Sequence, residues 1–429
     1  MTNTKKSRRL RAGVAAAIML FAGVAEAGKF NFNPYASGQY LYDSNVYKFS
    51  SQVAQVTGTA STADRIQRYA AGIDADYTWQ KHKLYGTIEG RRFLFQDFTQ
   101  LDHNEYALGV GFDGDILSNT TGLVDFRQER RMASFEDRRS TQLTMERDQT
   151  GRGALNITVT PEWHVLTGAR LRYLQSPLPA APALPQPPPG AAARNASPDF
   201  AVHETAYNAG VQYGIENVNN PKDATPWLVG VMLEHQTVSF GGVTPQPPTP
   251  PGVVRDNFDG YRLLSLEGTA QYTIPKLSAF DGKLGITQFT QSGTSSAQLT
   301  GEIGYTRALS AVTELNAHVF RRIVPYVATG DATTNTGFSL GAKWNPLRDL
   351  TVLGNYAYAS SSFGGSSGFA PENSGRGDKV QQATLSVAYP LYRYFTVKLF
   401  STYDNRDSSL VFNNFSDKIF GAELSFRWL

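Results

Sequence analysis

Apolar and polar positions alternate with a period of two along most of this chain. In "RYAAGIDADYTWQ", Tyr69, Ala71, Ile73, Ala75, Tyr77 and Trp79 share one parity, and Arg68, Asp74, Asp76 and Gln80 the other. "YALGVGFDGDIL" sets Tyr106, Leu108, Val110, Phe112 and Ile116 against Asp113 and Asp115. "WHVLTGARLRYL" sets Trp163, Val165, Ala169, Leu171 and Tyr173 against His164, Arg170 and Arg172. The closing "DKIFGAELSFRWL" does the same with Phe420, Ala422, Leu424, Phe426 and Trp428. Successive strand side chains point to opposite faces, so each segment predicts a β-strand with one apolar and one polar face.

The connections alternate as well. Short ones carry turn residues near 82 and at 118–120, 160–162, 308–311, 345–349 and 389–393, with two somewhat longer ones near 217–226 and 274–283. Between them lie longer segments, among them the proline-rich 176–198 and 241–252 and the Gly/Ser-rich 360–377, which cannot continue a sheet. Eight short turns and nine longer loops predict 18 strands, with both chain ends on the short-turn side. Sixteen remains an alternative, because "LYGTIEGRRFLFQDF" and "LGITQFTQSGTSS" alternate poorly.

In a bilayer core every backbone N–H and C=O must be satisfied internally, which strands achieve only in a closed barrel. The pattern therefore predicts an all-β, transmembrane, antiparallel up-and-down β-barrel with short periplasmic turns and long extracellular loops. The competing soluble β-sandwich or β-helix also alternates, but so many amphipathic segments exceed one sandwich. Aromatic residues at segment ends, Trp79, Trp163, Tyr173, Trp227, Trp344 and Trp428, fit membrane-interface girdles.

Residues 1–27 read as a signal peptide: a basic start, the apolar "AGVAAAIMLFAGVA", then "AEA". An anchor helix is disfavoured, because the run is shorter than the ~20 residues that span a bilayer. The barrel is expected over 28–429, in the outer membrane of a Gram-negative bacterium. Without residues 1–27 the formal charge falls from +3 to −1, which gives nucleic acid no electrostatic support as a partner. Cysteine is absent, so the exported chain folds without disulfides.

Catalytic motifs are few and out of context. "GVGFDG" (Gly109–Gly114) matches G-x-G-x-x-G but lies inside a strand with no helix after it. No H-E-x-x-H, P-loop or G-x-S-x-G occurs, and the six histidines are scattered. His164 and His318 fall on the polar parity, where hydrogen bonding toward a lumen is expected. Asp113 and Asp115 read as solvated wall residues. No enzyme activity, cofactor or metal site is expected.

The charges on the polar parity are more informative. Early strands contribute Arg91, Arg127, Arg131, Arg170 and Arg172; middle strands contribute Glu204, Glu216, Glu234, Glu267, Glu302 and Glu314. An arginine-rich wall facing a glutamate-rich arc would set a field across a pore and select polar or charged solutes. Mutual pairing that rigidifies the wall is the alternative, and the two are compatible.

At "YLYDSNVY" (Tyr40–Tyr47) and through "LDHNEY" (Leu101–Tyr106) the chain resembles the outer-membrane β-barrel porins encoded with bacterial exopolysaccharide biosynthesis clusters, the exosortase-associated ones included. The resemblance implies passage of a secreted polysaccharide, with periplasmic export components as candidate partners. The last strand also resembles the closing strands of outer-membrane barrels, whose terminal aromatic is read by the barrel-assembly machinery. Here Leu429 follows Trp428, a departure of one residue.

The expected function is an outer-membrane channel, surrounded by outer-membrane lipid, that exports exopolysaccharide through a polar lumen. The alternative is a general or substrate-uptake porin for small polar solutes. An adhesive barrel, or a lipid-acting enzyme for which no nucleophile and base can be assembled, ranks below both.

Overall fold

The computed structural model describes residues 28–59, 61–136, 141–177, 199–215, 227–242, 260–274, 277–291, 293–326, 331–363 and 375–428. The leader expected over 1–27 and the proline-rich loops lie outside these residues. Eighteen strands form one sheet: β1 (Lys29–Asp43), β2 (Asp64–Trp79), β3 (His82–Phe95), β4 (His103–Leu117), β5 (Thr120–Met132), β6 (Met145–Thr158), β7 (Trp163–Pro177), β8 (Asp199–Tyr213) and β9 (Trp227–Gly242). The second half comprises β10 (Tyr261–Ile274), β11 (Ser278–Gln291), β12 (Thr294–Ser310), β13 (Thr313–Tyr326), β14 (Asp331–Leu347), β15 (Leu350–Phe363), β16 (Gly377–Tyr392), β17 (Phe395–Ser408) and β18 (Phe415–Arg427).

Every strand pairs antiparallel with its sequence neighbour, and β1 pairs with β18 from Tyr35↔Arg427 to Asp43↔Ile419, which closes the ring. The strand number is thus 18, not 16. The turn near 274–283 is shorter than expected, because β11 already starts at Ser278. On the loop side, β11 and β12 are joined by residues 292–293 alone, with Gly293 at φ 80. A left-handed φ is cheap only for glycine, so a tight hairpin replaces a long loop there. A short helix, α1 (Ser51–Thr57), sits in the β1–β2 connection.

Register fixes the two faces. Gln39↔Arg68, Ala70↔Arg91 and Arg91↔Glu105 share the inner face, while Tyr69, Ile88 and Val124 point outward. The outer face carries an exposed apolar belt that includes Ile88 (59%), Leu233 (49%), Leu266 (58%), Ile286 (60%) and Leu299 (57%). So continuous an apolar surface on a closed barrel is a lipid-facing surface. The strands run 13 to 17 residues, longer than the ~9–11 that cross a bilayer, so their ends stand clear of it. The chain is a transmembrane β-barrel of the outer membrane.

All five tryptophans, Trp79, Trp163, Trp227, Trp344 and Trp428, lie at the short-turn end of their strands. They join tyrosines in ring contacts: Tyr77–Trp79 at 5.3 Å, Trp163–Tyr213 at 5.0 Å and Tyr213–Trp227 at 5.7 Å between centroids. Tyr173 sits at the opposite, loop end, 4.6 Å from His203. The G-x-G-x-x-G match lies inside β4, as expected. A Cβ at Gly111 would collide with the Tyr85 ring, and one at Gly72 with Tyr35. These glycines let lumenal rings lie flat against the wall.

Ile88→Arg should destabilise the barrel by about 2–4 kcal/mol, the cost of a cation on a mid-strand lipid face. Thr87→Arg, one residue away on the lumen face, should leave the denaturant midpoint in lipid vesicles near wild type. Equal effects of the two would contradict the assigned faces.

Candidate functional site

The inner wall over β3–β8 is a lateral ion-pair network. Facing side chains on adjacent strands lie within ~5 Å, so opposite charges one strand apart meet directly. Arg91 contacts Glu89, and reaches Glu105 at 3.3 Å and Glu129 at 3.0 Å. Glu129 also lies 3.6 Å from Arg127 and 3.9 Å from Arg131, and Arg131 bonds Glu146 at 2.7 Å. Further along, Arg172 bonds Asp148 at 2.6 Å, and Arg170 bonds Glu204 at 2.6 Å. Individually, partly exposed pairs contribute roughly 0.2–1 kcal/mol; sharing carboxylates fixes the geometry of the wall.

This alters the expected charge map. Arg91, Arg127, Arg131, Arg170 and Arg172 do face the lumen, but with carboxylates of their own, so the wall is zwitterionic. The acidic arc adjoins that wall rather than facing it. On β9–β12, Glu234, Glu267, Asp281 and Glu302 face the lumen with a single cation, Lys283, 3.0 Å from Glu302 and 3.8 Å from Glu267. Glu234 has no ion-pair partner among the described residues. His318 lies 3.5 Å from Glu302, and His164 hydrogen-bonds through Nε2 to the Gly214 carbonyl (3.2 Å). Glu314 shares the inner face with Lys343, and Glu216 lies outside the described residues. No group of three described His, Asp or Glu side chains is set to hold a metal. From β14 to β17 the wall is mostly uncharged and polar, with Asn335, Ser339, Asn355, Gln382, Thr384 and Thr402.

The mouth has a different chemistry, and here Tyr42–Asn45 does its work. Tyr42 points to the lipid side; Asp43 accepts from the Asn45 amide (2.8 Å) and Ser44 Oγ donates to Asp417 (3.0 Å). Asn45 Nδ2 donates to the Phe49 and Ser416 carbonyls (2.9 and 3.2 Å), and its Oδ1 accepts from Phe49 N (3.1 Å). These bonds turn the chain into the lumen, where Ser50 caps α1 through Val53 N (3.2 Å). Val46, Tyr47, Phe49 and Val53 pack with Ile66, Phe95, Leu101 and Phe135 into a buried core inside the rim. Tyr47, 1% exposed, has Phe98 and Phe135 at 4.8 and 5.2 Å and accepts from Gln100 Nε2 at 2.9 Å. Burial raises its phenol pKa.

Lys48 locks this loop. It adopts φ 52, unfavourable for a side chain with a Cβ, and its Nζ bonds Asp417 (2.6 Å) and Asp404 (3.2 Å) on the opposite side of the seam. Burial alone would lower its pKa; Asp417, Asp404 and Asp43 outweigh that and raise it, so the ammonium stays charged. A second strap crosses the mouth where Arg406 on β17 bonds Glu136 in the β5–β6 connection at 3.1 Å. The "LDHNEY" stretch supports both: Leu101 is fully buried, Asp102 accepts from Phe95 N (2.7 Å), and Glu105 accepts from Met132 N (2.9 Å).

The alternation pattern put Arg68 on the polar parity without marking it as a site residue, and it did not name Lys48, Lys398, Asp404 or Asp417. It held one sign of the inward loop: Phe93 and Phe95 fall on the lumen parity and spoil the alternation of "LYGTIEGRRFLFQDF". They do so because the β1–β2 connection covers them. Phe289 does the same in "LGITQFTQSGTSS", where it packs beside Val238, Tyr261 and Leu263.

The class is therefore an 18-stranded outer-membrane barrel with a charged lumen and an inward-folded loop at its mouth. No protein-family model matches the chain, and no curated protein does. Among solved structures it is similar to the OccK1 (OpdK) barrel of Pseudomonas aeruginosa, with 10% identity, a TM-score of 0.44, and 93% of this chain and 99% of that one covered. The ferric enterobactin receptor PfeA of the same organism gives 7% identity and a TM-score of 0.47, over 93% of this chain and 80% of that one. Its siderophore receptor PirA gives 7% identity and 0.45, over 93% and 80%. Neither solute nor direction is transferred from these distant barrels.

Lys48→Met leaves Asp404 and Asp417 buried beside an apolar side chain, a loss on the order of 3–5 kcal/mol. Limited proteolysis of the folded variant in detergent should cut within residues 44–63 faster than in wild type. An unchanged rate would remove Lys48 as the lock.

Proposed function

We propose that this barrel is a passive channel for small polar solutes, with the inner-face charges setting its selectivity. The observation that carries this is the loop at the mouth: a buried apolar core and an ionic lock hold it inside the entrance to a barrel whose inner wall is lined with polar and charged side chains. Such an entrance suits small solutes that are handed along weak, repeated sites. Glu234, Glu267 and Glu302 would favour cations along their arc. Arg91, Arg127, Arg131, Arg170 and Arg172, partnered laterally with Glu204 and other acids, would orient polar solutes without trapping anions. Trp79, Trp163, Tyr173, Trp227, Trp344 and Trp428 would hold the barrel at the two membrane interfaces.

Exopolysaccharide export is the second reading. It is supported by the resemblance at Tyr42–Asn45 and Leu101–Tyr106 and by the amide and hydroxyl wall of β14–β17, which suits sugar hydroxyls. Assembly through the closing strand and contact with periplasmic export components belong to this proposal as well.

Purified protein in planar bilayers should conduct, with a reversal potential in a KCl gradient on the cation-selective side. The triple variant Glu234→Gln/Glu267→Gln/Glu302→Gln should move that potential toward zero. An unchanged potential would remove these glutamates from selectivity, and no conductance at all would sink the channel reading. Polymer retained in the periplasm after gene deletion would favour export over uptake.

A further inference from the structure

Most lumenal cations on β3–β8 have a carboxylate partner, yet two at the mouth do not. Arg68 and Lys398 form no ion pair among the described residues, and both line a cavity of about 520 Å³ beneath the inward loop. Arg68 Nη1 reaches only the amide oxygen of Gln39 (3.3 Å), and its Nε is buried without a partner. Its guanidinium stands 5.6 Å from the Phe93 ring centre, and the Lys398 ammonium 5.7 Å from that of Phe400.

The acids that could neutralise them are turned elsewhere. Glu423 faces Lys398 in register but accepts from Gln39 Nε2 at 2.8 Å. Glu89 is taken by Arg91 and by Tyr35 OH (2.7 Å). Of the acids lining the cavity, Glu146 is bonded to Arg131 (2.7 Å) and Asp43 accepts from Asn45 N (2.8 Å). The rest of the lining mixes Gln39, Ser134, Thr402 and the paired cations Lys48 and Arg131 with an apolar stretch that includes Leu41, Ile66, Phe93, Phe95 and Phe400. A buried guanidinium edge without an acceptor carries a desolvation cost that an incoming carboxylate would remove. Flat apolar walls around it suit an apolar or aromatic body, and the volume lies in the range of small-molecule sites.

We propose that this cavity is a binding subsite for small amphipathic carboxylates: the carboxylate meets the unpartnered edge of Arg68, an apolar or aromatic body lies against Phe93 and Phe95, and Lys398, three strands away in register, adds positive charge from the far wall. The subsite deepens the channel reading and rests on it for a role in transport, but binding itself is measurable without conduction.

The test uses the full barrel in detergent, titrated with benzoate, benzyl alcohol and glucuronate by calorimetry, alongside benzoate block of single-channel current. Benzoate should bind, and the other two should bind at least about tenfold more weakly, since each lacks either the charge or the apolar body. Arg68→Gln should weaken benzoate about tenfold, and Arg68→Lys and Lys398→Gln by less. Heat-modifiable electrophoretic mobility checks that each variant is folded. If benzoate does not bind, or glucuronate binds equally well, or the folded glutamine variants keep wild-type affinity, the subsite is overturned. A barrel that binds benzoate but carries no current keeps the subsite and loses the channel reading; a conducting barrel that ignores benzoate does the reverse.

Discussion

The rest of this structure follows from the need to satisfy every backbone hydrogen bond inside a hydrocarbon layer that offers none. An open sheet would leave two unpaired edges in lipid, so β1 must find β18, and the pairing from Tyr35↔Arg427 to Asp43↔Ile419 removes both at once. Closure then dictates the side chains. A slip of one residue in any strand would exchange its lipid and lumen faces, so strict alternation is enforced wherever the strand crosses the bilayer. Because lipid fixes the outer face, chemical variety is confined to the inner face and to the loops.

Lateral pairing on the inner face is a consequence of the same geometry. Inner side chains recur on every second residue, and neighbouring strands bring them together, so a charge meets its partner sideways before it meets a solute. Arg91 does this across two strands, reaching Glu129 as well as Glu105. Single pairs of this kind add little stability, so the network's effect is to hold charged groups in place along the wall. The mouth departs from this rule because its inner strand ends are apolar. Ile66, Phe93 and Phe95 cannot face water cheaply, and the β1–β2 connection folds inward to cover them. That burial offsets the cost of the left-handed Lys48 and of the charge enclosed there.

The outer face was legible in the sequence because lipid tolerates only one kind of residue at each alternate position. From Tyr69 to Trp79 and from Phe420 to Trp428 the parity read from the chain is the parity found. The inner face was legible only by sign. Parity places Arg172 and Glu204 in the lumen, but the choice of Asp148 as the closer partner of Arg172 depends on register and side-chain reach, which local pattern does not encode. The acids Glu89, Glu105 and Glu129 share the lumen parity with the arginines, and their proximity dissolves the separation of an arginine wall from a glutamate arc. Likewise α1 is too short to show a helical period, and Phe93 and Phe95 read as noise until the segment that covers them is known.

The stretches that carry the family resemblance, Tyr42–Asn45 and Leu101–Tyr106, use most of their polar groups to shape the mouth. Asp43, Ser44 and Asn45 spend their hydrogen bonds on turning the chain inward, and Asp102, His103 and Glu105 on bracing the neighbouring strands beneath it. Those bonds set the shape of the mouth and identify no cargo. Two chains with the same inward loop could pass different solutes if the residues under that loop differ. In this chain those residues are Arg68 and Lys398, set among phenylalanines in a lumen where most other arginines are neutralised by a neighbour. The chemistry that distinguishes this barrel is therefore concentrated where the loop interrupts the lateral pairing, beneath the segment that Lys48 ties to Asp404 and Asp417.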